Sequence, residues 1–365
     1  MSHDFHLVGS LPMANAEAVF RTVSAAFGAK LKRIPDGETG ERSDWIMWLR
    51  PVFADNRAFV LSDDIFRLHE TAPPIQRYQL RPGRSIEDVK IDNLFYADIA
   101  ASSYRTFRKL KDAGEIPSGT RFQVDLVPAH SVIWLFLVDA LHAPIDPIYN
   151  AALKREIDKI AAAIPHDELA MQFDVASAVF ARLQREQVGA YGRSKVEMQA
   201  TFSNILIDLG NQVPAGIELL FHLCYGDSNH RHVVEPKDMG DMVDFTNRIT
   251  AGITRPINLV HMPVPRDRSD DAYFAPLADL RLRPETEFCL GLVHHTDGVE
   301  GTKHRLATAR KHARAFSIAT ECGFGRRKPE TIPELLRIHA AAAEMDWSVI
   351  PKSGHRFSEK IMLQR

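Results

Sequence analysis

Cysteine is scarce. Cys224, Cys289 and Cys322 are the only three in 365 residues, too few for a disulfide framework. A reducing cytoplasm is therefore expected, where thiols serve metal binding, catalysis or packing. An excess of charge of one sign is also missing. The 45 basic and 47 acidic side chains leave a formal charge of −2 with no basic block, which argues against a nucleic-acid protein. No hydrophobic run reaches bilayer length, since the longest, Val132–Leu137, continues to Leu141 only past a charge at Asp139. The N-terminal Met1-Ser-His-Asp-Phe-His carries neither the basic nor the apolar region of a signal peptide. There is no P-loop, GxSxG elbow or CxxC pair, and Gly9-Ser-Leu-Pro is not GxGxxG. NTPase, serine hydrolase, thioredoxin-type and dinucleotide-binding readings recede accordingly. What remains is a soluble, cytoplasmic enzyme or binding protein with three thiols to account for.

No repeat or linker divides the chain, so residues 1–365 read as one domain. Eight short apolar runs recur: Phe5–Val8, Leu31–Pro35, Phe122–Val127, Ala170–Phe173, Glu218–Leu223, Ile257–Val260, Phe288–Val293 and Phe316–Ala319. Runs this short and apolar on both faces suit buried parallel strands. Amphipathic stretches with helical spacing lie between most of them: Ala14–Phe27, Tyr149–Ala163, Lys195–Leu209, Lys237–Ala251, Thr302–Ala315 and Ile332–Ala343. Asn15 is a candidate start for the first. Eight strands alternating with helices predict an α/β fold, a (β/α)8 TIM barrel, with a doubly wound open sheet as the rival. The segment 44–119, between the second and third strands, exceeds an ordinary loop. It holds helical pieces such as Asn93–Ala113 and reads as a helical, lid-like insertion over one barrel mouth.

Barrel sites form at the C-terminal ends of the strands. Reactive residues fall there repeatedly: Gly9-Ser10, Asp36-Gly37-Glu38, Asp174, His222-Leu-Cys224, His261, His294-His295 and Glu321-Cys322. Alternate strand residues share a face, so His222 and Cys224 point the same way, and Cys322 leaves the last strand toward the same axis. Two thiolates and an imidazole suit Zn²⁺ with one position left for substrate; the alternative is two small buried hydrophobes. Cys289, inside an apolar run, reads as core. Glu38 and Asp174 form a carboxylate pair fit to clamp an ammonium or to exchange protons. The competing readings are a Glu38–Arg42 surface ion pair and an Asp174 helix cap. His294 and His295 precede Gly298 and offer an acid or base. His230 and His232 read as solvated loop residues. Trp134 either stacks on a ligand or packs its helix.

These segments resemble one known family, the cobalamin-independent methionine synthases, in their C-terminal catalytic barrel, over almost the whole chain. Val8-Gly-Ser-Leu-Pro12, Asp36-Gly-Glu-Thr-Gly-Glu-Arg42, Met171-Gln-Phe-Asp174, Pro128 with Trp134, His222-Leu-Cys-Tyr225, Val293-His-His-Thr296 and Glu321-Cys-Gly-Phe324 each look like a family segment, in family order. The resemblance implies Zn²⁺ on His222, Cys224 and Cys322, the amine of a homocysteine-like thiol between Glu38 and Asp174, and its carboxylate on Ser10. It implies that Trp134 lies beside the family's pterin and that His295 protonates the leaving group. The family's fourth ligand, a Glu closing strand six, is missing; His261 falls near its place, as a substitute ligand unless the metal has three protein ligands. The synthases' duplicated N-terminal barrel, which helps bind folate, has no counterpart in these 365 residues, so the methyl or alkyl donor stays open. A zinc-dependent transferase is the leading expectation. The alternatives are a metal-independent lyase or decarboxylase using Asp174 and His295, and a non-catalytic small-molecule-binding barrel.

Overall fold

In the computed structural model, residues 5–226, 232–313 and 315–344 are described. His230 lies outside them. Seven parallel strands form one sheet in the order β1-β4-β5-β6-β7-β8-β9. They are β1 (Arg33–Pro35), β4 (Arg121–Leu126), β5 (Leu169–Val175), β6 (Glu218–Leu223), β7 (Leu259–Pro263), β8 (Glu287–Val293) and β9 (Ser317–Thr320). A separate antiparallel hairpin pairs β2 (Phe59–Phe66) with β3 (Ile75–Leu80).

The barrel closes at the N-terminal segment. Phe5 bridges in parallel to Leu31 on one side and to Ile318 on the other, and the His6 amide donates to the Ile318 carbonyl at 3.1 Å. The expected strand Phe5–Val8 thus occupies the eighth position, reduced to bridge contacts. Side chains supply what the short ladder lacks. Gln123 Nε2 donates to the Leu7 and Val8 carbonyls, and Gln172 Nε2 to the Val8 carbonyl at 2.6 Å.

The strands are buried on both faces because helices cover the outside and side chains fill the inside. Val8, Ala170, Leu220, Leu259, Cys289 and Ala319, one from each of six neighbouring staves, form an inner apolar cluster. Cys289 is accordingly core, as expected. The helices match the periodic stretches: Ala16–Phe27, His142–Ala163, Lys195–Gln212, Gly240–Gly252, Gly298–His312 and Ile332–Glu344. Asn15 caps the first, its side chain accepting from the Ala18 amide at 2.9 Å.

The segment 44–119 is not wholly helical. Its helix Tyr96–Asp112 packs Phe107 against Phe20 and Phe122 as a regular barrel crossover, whereas the preceding residues carry the β2–β3 hairpin.

Candidate active site

Strand register sets the site. Asp174 on β5 is level with His222 on β6, and His222 is level with His261 on β7. These three therefore project from adjacent staves at one height. Cys224 follows two residues above His222, and Cys322 leaves β9 across the barrel.

The Sγ atoms of Cys224 and Cys322 lie 3.7 Å apart, and one ligand atom from each of His222, Cys224 and Cys322 falls within 4.8 Å of the others. Two 2.3 Å zinc–sulfur bonds at a tetrahedral angle span about 3.8 Å between sulfurs. The donor set therefore fits Zn²⁺ in chemistry and in spacing. The hydrogen bond from the Cys224 thiol, with the positive charge of Arg326, holds Cys322 well below the usual thiol range. Cys224 is raised correspondingly, first by that same hydrogen bond and then by burial. The two thiols are thus pushed in opposite directions by their mutual contact and burial.

His222 Nδ1 contacts His261 Nδ1, and His261 Nε2 lies 3.0 Å from the Thr320 carbonyl. A carbonyl only accepts, so His261 carries its proton on Nε2 and presents a bare Nδ1. His222 donates to it from Nδ1, leaving Nε2 as a lone-pair donor. That Nε2 is buried and has no hydrogen-bond partner. That nitrogen and the two sulfurs together make a three-atom donor set suited to one metal ion. Both nitrogens of His261 are engaged, so it is not the substitute ligand of the sequence expectation. β7 runs on to Pro263, beyond the expected end at Val260, and places His261 inside the barrel wall. Burial keeps it far below the usual imidazole range, hence neutral.

The sulfurs border a cavity of about 190 Å³. Ser10, Glu38 and Asp174 line it with Asp44, Trp45 and Arg326, while Leu68, Ala72, Pro73 and Pro74 from the hairpin form its other wall. Glu38 sits in the left-handed region with φ 47°. Gly37 before it, at φ 82°, has no room for a Cβ, which would meet Val19 Cγ2 at 2.6 Å. The turn is held by Asp36, which accepts from the Glu38 amide, Ser103 Oγ and Arg42. Arg42 thus pairs with Asp36, and Glu38 is no surface ion pair.

Glu38, Asp125 and Asp174 are each only 8% exposed. Burial raises Glu38 to about 8 against the pull of Arg42, and raises Asp174 to about 6. Asp125, hidden from the sequence reading inside an apolar run, is raised by burial and by its two carboxylate neighbours. Gln123 and Gln172 aim Asp125 and Asp174, donating at 2.8 and 2.9 Å to carboxylates two residues on. Asp174 is therefore not a helix cap; Ala176 fills that position without a side-chain bond. Ser10 Oγ accepts from the Gly325 amide at 3.2 Å, which leaves its O–H free to donate. The cavity thus sets two buried carboxyl groups beside a hydroxyl.

Three expectations are displaced. Trp134 does not line the cavity: it is buried against Phe66, with rings 5.0 Å apart, and Arg182 lies over its face. The aromatic wall comes instead from Trp45, held at φ 49°. His295 opens into a second cavity on the other side of Cys322, and it is His294 that lies inward, bonded to the Val264 carbonyl and near Glu321. Burial lowers His294 to about 3. His232 is not solvated either, its ring clasped between Glu235 and Glu321. Among the described residues no helix is long and apolar enough to cross a membrane.

Comparison of the sequence with protein-family models and with curated proteins returns no match. Solved structures do match. A B12-independent methionine synthase from Shewanella sp. W3-18-1, in complex with selenomethionine, superposes with a TM-score of 0.61 at 13% identity, covering 94% of this chain and 97% of that one. A putative vitamin-B12-independent methionine synthase from Listeria monocytogenes gives a TM-score of 0.53 at 13% identity, covering 94% and 98%. Both similarities run nearly end to end, and at this identity what they establish is a shared α/β barrel fold.

Proposed function

We propose that the protein is a zinc-dependent transferase that moves a methyl or other alkyl group onto the sulfur of an amino-acid thiol resembling homocysteine. The observation that carries this reading is the convergence of Cys224, Cys322 and the orphaned His222 Nε2 on one wall of a cavity whose other polar groups suit an amino acid. A bound Zn²⁺ supplies Lewis acidity that keeps a substrate thiol ionised at neutral pH. Glu38 and Asp174 hold the substrate ammonium, and the Ser10 hydroxyl donates to its carboxylate. Asp125 stands behind Glu38 as a third buried carboxyl group. Leu68, Ala72, Pro73 and Pro74 exclude water from the sulfur, as a lid formed by the 44–119 segment would. Transfer forms a sulfur–carbon bond as the donor's bond from that carbon to its leaving group breaks. His295, across Cys322, is the group that the family resemblance assigns to protonating the departing atom.

Metal analysis of protein purified without chelators tests this reading. One zinc per chain is expected in the wild type and less than a tenth of that, roughly, in Cys224→Ser and Cys322→Ser. A wild type lacking stoichiometric metal would sink the proposal.

A second reading has its own observation: Glu38 at about 8 and Asp174 at about 6 make a buried acid and base in one cavity. A lyase or decarboxylase built on that pair would keep its activity in both cysteine variants, whereas the transferase would not.

A further inference from the structure

Across Cys322 from the first cavity lies a second, of about 240 Å³. Its walls are the loops that follow β7, β8 and β9, which contribute Arg266, His295 with Thr296, and Arg327 with Lys328. In this fold the loops after the last two strands, with a short extra helix, recurrently hold oxyanions. The short turn Pro329–Thr331 stands in that position here, and Thr331 lines the cavity. Placement alone does not make a site, and the side chains carry the argument.

Nearby carboxylates are already committed. Asp297 is held bidentately by Arg305 at 2.6 and 2.9 Å. Glu321 lies between His232 and His294, and Glu334 is forked by Arg337 at 2.7 Å through both oxygens. No ion pair joins Arg266, Arg327 or Lys328 to a carboxylate among the described residues. Among the described residues, Arg266 donates to Thr296 Oγ1, at 3.2 Å. The Nε of Arg327 is buried without an acceptor, a donor out of water with nothing to receive it. Three positive side chains therefore converge on a cavity that Cys322 also lines.

We propose that this chamber binds an oxyanion group of a substrate (carboxylate, sulfonate or phosphate) on Arg266, Arg327 and Lys328, with the rest of that molecule directed at Cys322. Guanidinium forks match the paired oxygens of such groups, and Lys328 adds a point charge at the mouth. Anion binding itself needs no metal. Only its consequence, that a negatively charged second reactant meets the sulfur pair from the side opposite Ser10 and Glu38, rests on the transferase reading.

Calorimetric titration of the full chain as purified, at constant ionic strength, tests this with inorganic phosphate, acetate and methanesulfonate. Saturable binding of at least one is expected, and the order among the three identifies the oxyanion class. Arg327→Gln and Arg266→Gln should each weaken it about tenfold, the scale of one charge-assisted hydrogen bond. Glu38→Gln, on the other cavity, should leave it unchanged. Melting curves check that the variants fold, and the exposed Lys328→Gln supplies the comparison if an arginine variant does not. No saturable heat with any of the three anions, or binding indifferent to the cation substitutions, overturns the proposal. Saturable anion binding by a wild type that, purified without chelators, holds no stoichiometric zinc would sink the metal reading and leave this one standing.

Discussion

His222 and His261 face each other through their Nδ1 atoms at 2.7 Å, an arrangement that assigns every proton between the Thr320 carbonyl and the sulfur pair. His261 thus becomes the support of the imidazole ligand. Outer-shell partners of this kind orient the ring and raise its basicity, and their loss weakens metal binding by about 10–100-fold. His261→Ala is expected to fall in that range in a chelator competition for zinc, while His261→Asn, which keeps a polar group near Nδ1, should lose less. Equal zinc affinity in wild type and His261→Ala would remove the supporting role.

Glu38 gives a stability test with a definite sign. Its folded value of about 8 stands above the ordinary 4.5, so the folded state binds the proton more tightly than the unfolded chain does. Stability from that proton is complete below pH 4.5 and declines up to about pH 8. Glu38→Gln, which cannot ionise, should be the more stable protein at pH 8, by on the order of 3 kcal/mol. The difference should close near pH 4.5, and thermal melts from pH 4 to 9 follow it. A wild type that gains stability relative to the variant on going alkaline would contradict the burial argument.

The two tryptophans separate binding from packing. Trp134 is buried, edge-on to Phe66 and beneath Arg182, so Trp134→Ala should cost about 3–5 kcal/mol in denaturant unfolding. Trp45 borders the cavity and is half-buried, so Trp45→Ala should raise KM with a smaller loss of stability. Reversal of the two phenotypes would restore Trp134 to the ligand.

Alternation made most of the fold legible. Glu218–Leu223 is a strand in the sequence and in the structure because its residues are apolar on both faces, and His222 and Cys224 are readable as a pair for the same reason. The β2–β3 hairpin escaped notice because Asp63 and Asp64 interrupt the first strand and Pro73-Pro74 precedes the second. Asp125 was hidden by apolar neighbours, although Gln123-x-Asp125 on β4 repeats the Gln172-x-Asp174 spacing on β5. His261 carries no sequence signal for its role, since that depends on register with His222 and on the Thr320 carbonyl from β9. The choice between His294 and His295, and between Trp45 and Trp134, turns on one-residue differences in direction that periodicity does not resolve.

Closure of the barrel through single bridges at Phe5 has a consequence for catalysis as well as for topology. The seam is sewn by the same two glutamines that aim the carboxylates: Gln123 spans Leu7, Val8 and Asp125, while Gln172 spans Val8 and Asp174. Fraying of the N-terminal stave therefore detunes the ammonium pocket without touching a residue of it. Mechanical integrity of the wall and chemical aim of the pocket are one property in this protein.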